Sequence, residues 1–133
     1  MSLSSKIYDP TFGLGEKIGN MVKGSTVTQQ TNRSTGVTIN ALSGTITTNT
    51  TSLAAGASAE FTVTNNTVEV DDVILLTQQS GSSNVAGTAG ITSVEVVTVA
   101  AGSFIIAVQN SSSTTADTGA ILINFLVMKA AQS

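Results

Sequence analysis

Short runs of alternating apolar and polar residues recur along the chain from Ser25 onward. Alternation with a period of two puts the apolar side chains of a β-strand on one face, whereas a helix repeats about every 3.6 residues. The alternation is clean where Val37 and Ile39 share one face and where Phe61 and Val63 share another. The runs predict eight strands, over residues 25–30, 36–42, 44–48, 59–65, 73–77, 91–99, 103–110 and 120–128.

Two of the predicted strands are more apolar than the rest. Residues 73–76 form a continuous apolar run, which is typical of a strand buried on both sides. The run over residues 120–128 is the longest and most apolar, so we expect it at the centre of the core. Glycine-containing turns are predicted at residues 43–44, 54–56 and 100–102, and polar surface loops at residues 80–90 and 111–119.

Strands of this length and spacing, with no convincing helix between them, indicate an all-β fold. We predict an antiparallel β-sandwich of about eight strands. A faint internal repeat refines this prediction, because an Ala-Ala-Gly turn precedes both the strand of Phe61 and the strand of Phe104, and an apolar strand follows each. Two matching halves suit a jelly-roll-like Greek key.

The first 24 residues follow a different pattern. Their apolar residues are irregularly spaced among four glycines, each of which costs a helix interior about 1 kcal/mol. We therefore predict an extended or short-helical docking arm over residues 1–24 and a β-sandwich domain over residues 25–133, the arm becoming ordered against its own subunit, a neighbour or another protein. The residues expected to dock are Tyr8, Phe12, Leu14, Lys17, Ile18, Met21 and Lys23. Tyr8 and Phe12 fit either anchors in a partner groove or intramolecular packing.

Charge is scarce and unevenly distributed. Charged residues make up 10% of the chain, against about 25% in an average globular protein. Four of the five cations lie in residues 1–33, and the only charges between Ser34 and Met128 are six carboxylates. A mildly basic arm on an acidic body suits docking onto an acidic protein surface, with simple scatter of four cations as the alternative. It does not suit nucleic-acid binding, which needs clustered lysine and arginine.

The composition removes most catalytic chemistry. The chain has no cysteine and no histidine, and therefore no disulfide, no thiolate nucleophile and no imidazole base or ligand. We predict no catalytic residue, no metal site, no cofactor and no small-molecule substrate. A hydroxyl-rich surface with so few charges suits a protein that buries much of its surface in an assembly, and a monomer solvated by hydroxyl groups is the alternative.

Two short motifs resemble ligand sites but lack the required context. The glycines of residues 13–19 have neither the preceding strand nor the spacing of a nucleotide-binding loop. Asp71 and Asp72, with Glu69 nearby, are groups that could bind calcium or hydrolyse glycosides, but we expect them to form a solvated turn before a strand. An enzyme that uses Asp71, Asp72 or Glu95 is the weakest functional hypothesis.

No apolar run approaches the ~20 residues of a membrane span, so no membrane partner is expected. Residues 1–8 lack the apolar segment of a secretory signal. We therefore expect synthesis in the cytoplasm, with the final location open.

Several segments carry a family resemblance: TQQTNRSTGVTINALSGTIT at residues 28–47, LAAG at 53–56, FTVTN at 61–65, GSFIIAVQN at 102–110 and NFLVMK at 124–129. They resemble a family of small virion structural proteins of tailed bacteriophages, notably phages of aquatic and cyanobacterial hosts. The resemblance covers roughly residues 25–130 and does not include the arm. It implies a β-sandwich that forms a homotrimer on the particle, as a capsid decoration (cement) protein or as a domain of a head or tail fibre. It supplies no catalytic residues.

The first functional hypothesis is a decoration protein on the capsid surface of a virion, made in the host cytoplasm, that trimerises and clamps neighbouring subunits of the major capsid protein. Its arm would reach onto those subunits. The absence of a long shaft repeat in these 133 residues favours it over a fibre. The alternative is a head or tail fibre tip that binds a host receptor or glycan through the loops at residues 78–90 and 110–119.

Overall fold

The strands form where the alternation predicts them. A computed structural model describes residues 24–81 and 90–130. The strands within these residues are β1 (Ser25–Thr28), β2 (Val37–Thr38), β3 (Ser43–Thr47), β4 (Ser58–Thr64), β5 (Val73–Gly81), β6 (Thr92–Ala100), β7 (Ser103–Asn110) and β8 (Ile121–Met128). All eight predicted strands are confirmed, although β2 has only two residues, and the described residues contain no helix. The predicted docking residues lie in residues 1–23, outside the described ranges, so the arm and its form stay predictions.

Two four-stranded sheets pack against each other as a β-sandwich. Sheet A has the strand order β1-β3-β8-β5, and sheet B has the order β2-β4-β7-β6. Most pairs are antiparallel, but β1 runs parallel to β3 and β2 runs parallel to β4. The prediction of an antiparallel sandwich is therefore wrong for these two outer pairs. Because the chain crosses to the opposite sheet between the members of each pair, it returns in its original direction.

The two most apolar strands occupy different positions in sheet A. The last strand, β8, lies between β3 and β5, which confirms its predicted central place. In contrast, β5 is an edge strand, and Val73 and Leu75 are 53% and 46% exposed. The prediction that this run is buried on both sides is therefore wrong for the single chain. Its inner side chains enter the core, while its outer side chains lie on a face that the described residues leave open.

The hydrophobic core lies between the inner faces of the two sheets. Its fully buried large side chains come from both sheets: Ile46, Ile121 and Ile123 from sheet A, and Val63, Phe104, Ile106 and Val108 from sheet B. The rings of Phe104 and Phe125 meet across the interface with centroids 5.6 Å apart and planes inclined by 54°. Tilted contacts of this kind are favoured by the quadrupoles of aromatic rings. This contact ties the centre of one sheet to the centre of the other.

Glycine permits the sharp turns that begin two central strands. Gly56 and Gly102 have φ angles of 72° and 81°, a conformation that side chains with a Cβ rarely adopt. They precede β4 and β7, which pair with each other, and the next apolar strands, β5 and β8, also pair. The repeat in the sequence thus corresponds to neighbouring strands. The correspondence is incomplete, because β2 is parallel to β4 whereas β6 is antiparallel to β7.

Candidate functional site

Sheet A exposes aliphatic side chains on its outer face. The alternation along β5 and β8 turns Val73, Leu75, Leu126 and Met128 away from the core. The strand register places Val73 beside Met128 and Leu75 beside Leu126, so the four side chains form one surface, here called the apolar patch. Met128 is 50% exposed. Contiguous exposed aliphatic side chains on a soluble protein mark interaction surfaces more often than isolated ones do.

Hydroxyl and amide groups complete the outer face of sheet A. Asn124 lies between Thr45 and Thr77 in the row next to the apolar patch, and Thr45 Oγ1 donates a hydrogen bond to Asn124 Oδ1 at 2.8 Å. Within the described residues, no outward-facing side chain of β1, β3, β5 or β8 is charged. The remaining outward-facing residues include Thr26, Thr28, Ser43, Thr47, Ser80 and Leu122. The face is therefore neutral as well as partly apolar.

The outer face of sheet B is acidic by comparison. Glu60 on β4 and Glu95 on β6 are both register partners of Ala107 on β7, so the two carboxylates flank it in one row. With strands about 4.8 Å apart, the two backbone positions are separated by roughly 10 Å. The charge of the described body is net −4, from six carboxylates against Arg33 and Lys129. The two outer faces therefore differ in both charge and apolar character.

A shallow depression of about 250 Å³ lies beside Glu60 on sheet B. Its lining residues are Ser34, Gly36, Glu60, Phe61, Thr62 and Ile105. Glu60 is the sole ionisable group in that lining, and general acid–base catalysis by carboxylates needs a second group in reach.

A buried ion pair holds the loops at one end of the sandwich. Arg33 Nη2 lies 2.7 Å from Asp117 Oδ2, and the two side chains are 4% and 0% exposed. Arg33 also donates from Nη2 to the carbonyl of Gly119 at 2.7 Å and from Nε to the carbonyl of Thr51. Asp117 in turn exchanges two backbone hydrogen bonds with Leu53. One arginine thus joins three connections between strands.

Two buried amides extend the network at this end. Gln29 donates from Nε2 to the carbonyls of Arg33 and Thr35, and Asn49 N donates to Gln29 Oε1. Asn110 donates from Nδ2 to the carbonyl of Leu53 at 3.0 Å. Because buried backbone carbonyls need donors, these amides let irregular loops pack onto the core.

A second ion-pair cluster lies at the opposite end. Lys129 Nζ contacts Asp72 Oδ2 and lies 3.4 Å from Glu69 Oε2. The Asp72 side chain is buried and also accepts hydrogen bonds from the backbone N–H groups of Glu69 and Ala130. The hydrogen bond from Lys129, with those from Ala130 and Glu69, outweighs burial and lowers the pKa of Asp72 from 3.8 to about 2. The same hydrogen bond raises the pKa of Lys129.

Of the carboxylates considered as catalytic or calcium-binding candidates, Glu69 and Asp72 meet at Lys129, which neutralises one of their two charges. Asp72 is buried under Lys129, so the expectation of a solvated turn is wrong for this residue. Asp71 is exposed before β5, whereas Glu95 lies on β6 in the other sheet. Among residues 24–81 and 90–130, no group of three His, Cys, Asp or Glu residues is placed to hold a metal ion. No helix in those same ranges is long and apolar enough to cross a membrane.

The structure reveals two features that sequence reasoning missed. By its position in the sequence Arg33 belongs with the cations near the arm, but it is buried and pairs with Asp117, from a loop predicted to lie at the surface. Residues far apart in sequence carry no local signal for such a pair. The second feature is the exposed outer face of sheet A. The sequence does signal this face, because the continuous apolar run at residues 73–76 predicts burial on two sides.

The predicted docking residues Tyr8, Phe12, Leu14, Lys17, Ile18, Met21 and Lys23 lie outside the described residues. In the second glycan-binding candidate, residues 110–119, Asn110 and Asp117 point inward and are buried.

Comparison of the chain with protein-family models, with curated proteins and with solved structures gives no match.

Proposed function

We propose that this protein is a virion structural protein, a capsid decoration protein of a tailed bacteriophage. In this proposal three copies form a unit on the capsid surface and clamp neighbouring subunits of the major capsid protein. The sandwich provides a rigid body, as a variant of the jelly-roll type that the internal repeat suggests. No chemical reaction is part of the function.

The observation that carries the proposal is the neutral, partly apolar outer face of sheet A. The apolar patch leaves aliphatic side chains such as Val73 and Leu75 open to water, which favours their burial in an assembly. Glu69 and Asp72 are paired with Lys129, and Glu60 is the single ionisable group among the described residues that line the depression on sheet B. A body with an exposed apolar patch, and without a cleft that joins two unpaired carboxylates among the described residues, supports a structural function over an enzymatic one.

The distribution of cations supports a docking role for the arm. Arg33 and Lys129 are engaged in ion pairs within the body. The other three cations of the chain are Lys6, Lys17 and Lys23, all in residues 1–24. In the proposed complex, Lys17 and Lys23 bind acidic groups of the capsid, and Tyr8, Phe12, Leu14, Ile18 and Met21 supply apolar contacts.

The threefold symmetry of the proposed trimer would let weak contacts between single arms and the capsid add up to stable binding. Each arm alone binds weakly, but three arms on one trimer act together because the first contact raises the effective concentration of the others. A decoration unit that spans subunit boundaries would oppose their separation under the pressure of packaged DNA. The decoration protein would therefore act by adding contact area across the boundaries between capsid subunits.

Localisation on intact particles tests this function. Gold-labelled antibodies against the sandwich are expected to mark the whole capsid surface in electron micrographs. Label confined to tail or head fibres would support the fibre-tip alternative, and purified particles without label would contradict both.

A second experiment tests the arm. Deleting residues 1–24 is expected to leave a β-rich circular dichroism spectrum and to abolish binding to undecorated capsids. The substitutions Lys17→Glu and Lys23→Glu provide a milder variant of the same test. Normal capsid binding by both variants would contradict the docking role.

A further inference from the structure

We propose that the outer face of sheet A binds further copies of the same chain. The subunits of the assembly meet through the apolar patch and the neighbouring row of Thr45, Asn124 and Thr77. This inference rests on the proposed function only for the number of copies, three. The apolar patch and its neighbouring row are seen in the described residues of a single chain, whatever the function is.

The pattern of β5 and β8 provides the first argument. A run such as residues 73–76 belongs to strands that are covered on both faces. In the single chain the core covers one face, with Ile74 and Val127 buried, while Val73 and Leu75 stay half-exposed. In β4, by contrast, the outward residues Glu60, Thr62 and Thr64 are polar. A second copy would give the outer side of β5 the cover that its composition predicts.

The lack of charge on the outward strand residues of sheet A, within the described ranges, lets another copy bind there. Two bodies with net charges of −4 repel unless they meet through a surface without carboxylates. The outer face of sheet B would bring Glu60 and Glu95 against a partner, whereas the outward strand residues of sheet A carry no charge within the described ranges. At the rim, Lys129 neutralises one of the three carboxylates Glu69, Asp71 and Asp72, so contact is more favourable towards Thr77 and Asn124 than at this end.

Charge also argues against the arm as the occupant of the outer face of sheet A. Residues 1–24 carry Lys6, Lys17 and Lys23. Burying these cations against the neutral face of sheet A would leave them without partners. Acidic surfaces, such as that around Glu60 and Glu95, are better matched to them. The neutral face is thus left for a partner with the same mixture of aliphatic and hydroxyl groups.

The area of the outer face of sheet A can be compared with the area that a stable interface buries. Four strands span roughly 19 Å, and the outward positions from Leu122 to Met128 span roughly 20 Å along β8. A stable interface buries about 800 Å² on each partner. The flat area of the face, roughly 380 Å², is about half of that figure, so a stable interface needs the whole face together with surface beyond its rim. A substitution in the middle of the patch is therefore expected to disturb the whole contact.

A charge placed in the patch tests the proposal, with a matched control on the other sheet. Leu75 and Val97 are aliphatic, lie on edge strands and are 46% and 42% exposed. Light scattering after size-exclusion chromatography of the full chain is expected to give a multiple of 13.4 kDa. Leu75→Glu is expected to raise the dissociation constant of self-association by at least about 30-fold, the loss typical of a central interface side chain. Val97→Glu is expected to leave the mass unchanged.

Thiol labelling provides a second measurement that avoids a destabilising charge. The chain has no cysteine, so Thr77→Cys on sheet A and Thr62→Cys on sheet B each introduce one exposed thiol. In the assembled protein, a maleimide is expected to react more slowly with the thiol at position 77 than with the one at position 62. Dilution below the dissociation constant is expected to remove the difference.

Three results would overturn the inference. The first is a wild-type mass of 13.4 kDa at every concentration. The second is an oligomer that Leu75→Glu leaves intact. The third is protection of the thiol at position 77 in a monomer, which would show that the arm covers the face. A dimer would uphold the face and contradict the proposed trimer, and self-association without capsid binding would contradict the proposed function alone.

Discussion

Replacing Asp117 with alanine removes the carboxylate that neutralises Arg33 in the interior. The guanidinium keeps its hydrogen bonds to the carbonyls of Thr51 and Gly119, so it stays anchored while its charge loses the one carboxylate that pairs with it among the described residues. Because both side chains are almost fully buried, water cannot replace the lost partner without opening the loops.

The expected cost follows from this burial. Removing one member of a buried ion pair destabilises a protein by about 3–5 kcal/mol. The surviving carbonyl contacts of Arg33 place Asp117→Ala near the lower end, at about 3 kcal/mol. Arg33→Met leaves the Asp117 carboxylate buried and is expected to cost about 4 kcal/mol. Either loss is a large fraction of the ~5–15 kcal/mol that stabilises a typical domain.

The double variant separates the interaction energy between Arg33 and Asp117 from the other effects of each substitution. Nη1 of Arg33 is buried without a hydrogen-bond partner in the described part of the chain. Arg33→Met therefore removes an unsatisfied donor together with the charge. Combining it with Asp117→Ala is expected to cost about 2–3 kcal/mol less than the sum of the two single changes.

Urea unfolding followed by circular dichroism measures these differences. The chain has no tryptophan, so the β-sheet signal is the appropriate probe. All variants are compared at one protein concentration, because self-association would add to the apparent stability. A loss below about 1 kcal/mol for Asp117→Ala, as at an exposed pair, would refute the reasoning. Additive losses in the double variant would show that the two side chains act independently.

Three further changes test other parts of the fold. Gly44→Ala is expected to lower the free energy of unfolding by about 1–3 kcal/mol, because its Cβ would lie 2.7 Å from Ser25 O and 2.9 Å from Phe125 Cε1; unchanged urea stability would contradict this close packing. Phe104→Ala is expected to cost about 3–5 kcal/mol by leaving a cavity in the core, again measured by urea unfolding, with the exposed Thr62→Ala as control. The lowered pKa of Asp72 stabilises the fold above pH 3.8, and this contribution is lost as the pH falls towards about 2. Acid titration of unfolding is therefore expected to be steeper for the wild type than for Asp72→Asn, and equal slopes would contradict the assignment.

Local pattern was sufficient to locate the strands. Alternation in residues such as Phe61 and Val63 depends on the two faces of one strand, so it is visible without knowledge of the partners. The central place of β8 was also predictable, because a long apolar strand is stable only where neighbours cover it. Pairing direction was not predictable in the same way. The direction of a pair depends on whether the chain crosses to the other sheet between its two strands. The two-residue strand β2 is too short for its sequence to show that crossing.

The candidate surfaces were only partly predictable. The run that includes Val73 and Leu75 predicted burial on two sides, but the sequence could not distinguish burial by its own fold from burial by a partner. The ion pair of Arg33 and Asp117 joins positions 84 residues apart. Such a contact is fixed by the meeting of loops at one end of the sandwich, and neither residue differs locally from a surface charge.

The central position of β8 links the folding of the chain to the timing of assembly. Both β3 and β5 pair with β8 in sheet A, so that sheet cannot close until residues 121–128 have been synthesised. Leu126 and Met128 belong to this last strand and form half of the apolar patch. The patch therefore does not exist on nascent chains that are still being translated through the earlier strands. Self-association through the apolar patch, as proposed above, therefore has to follow the synthesis of β8.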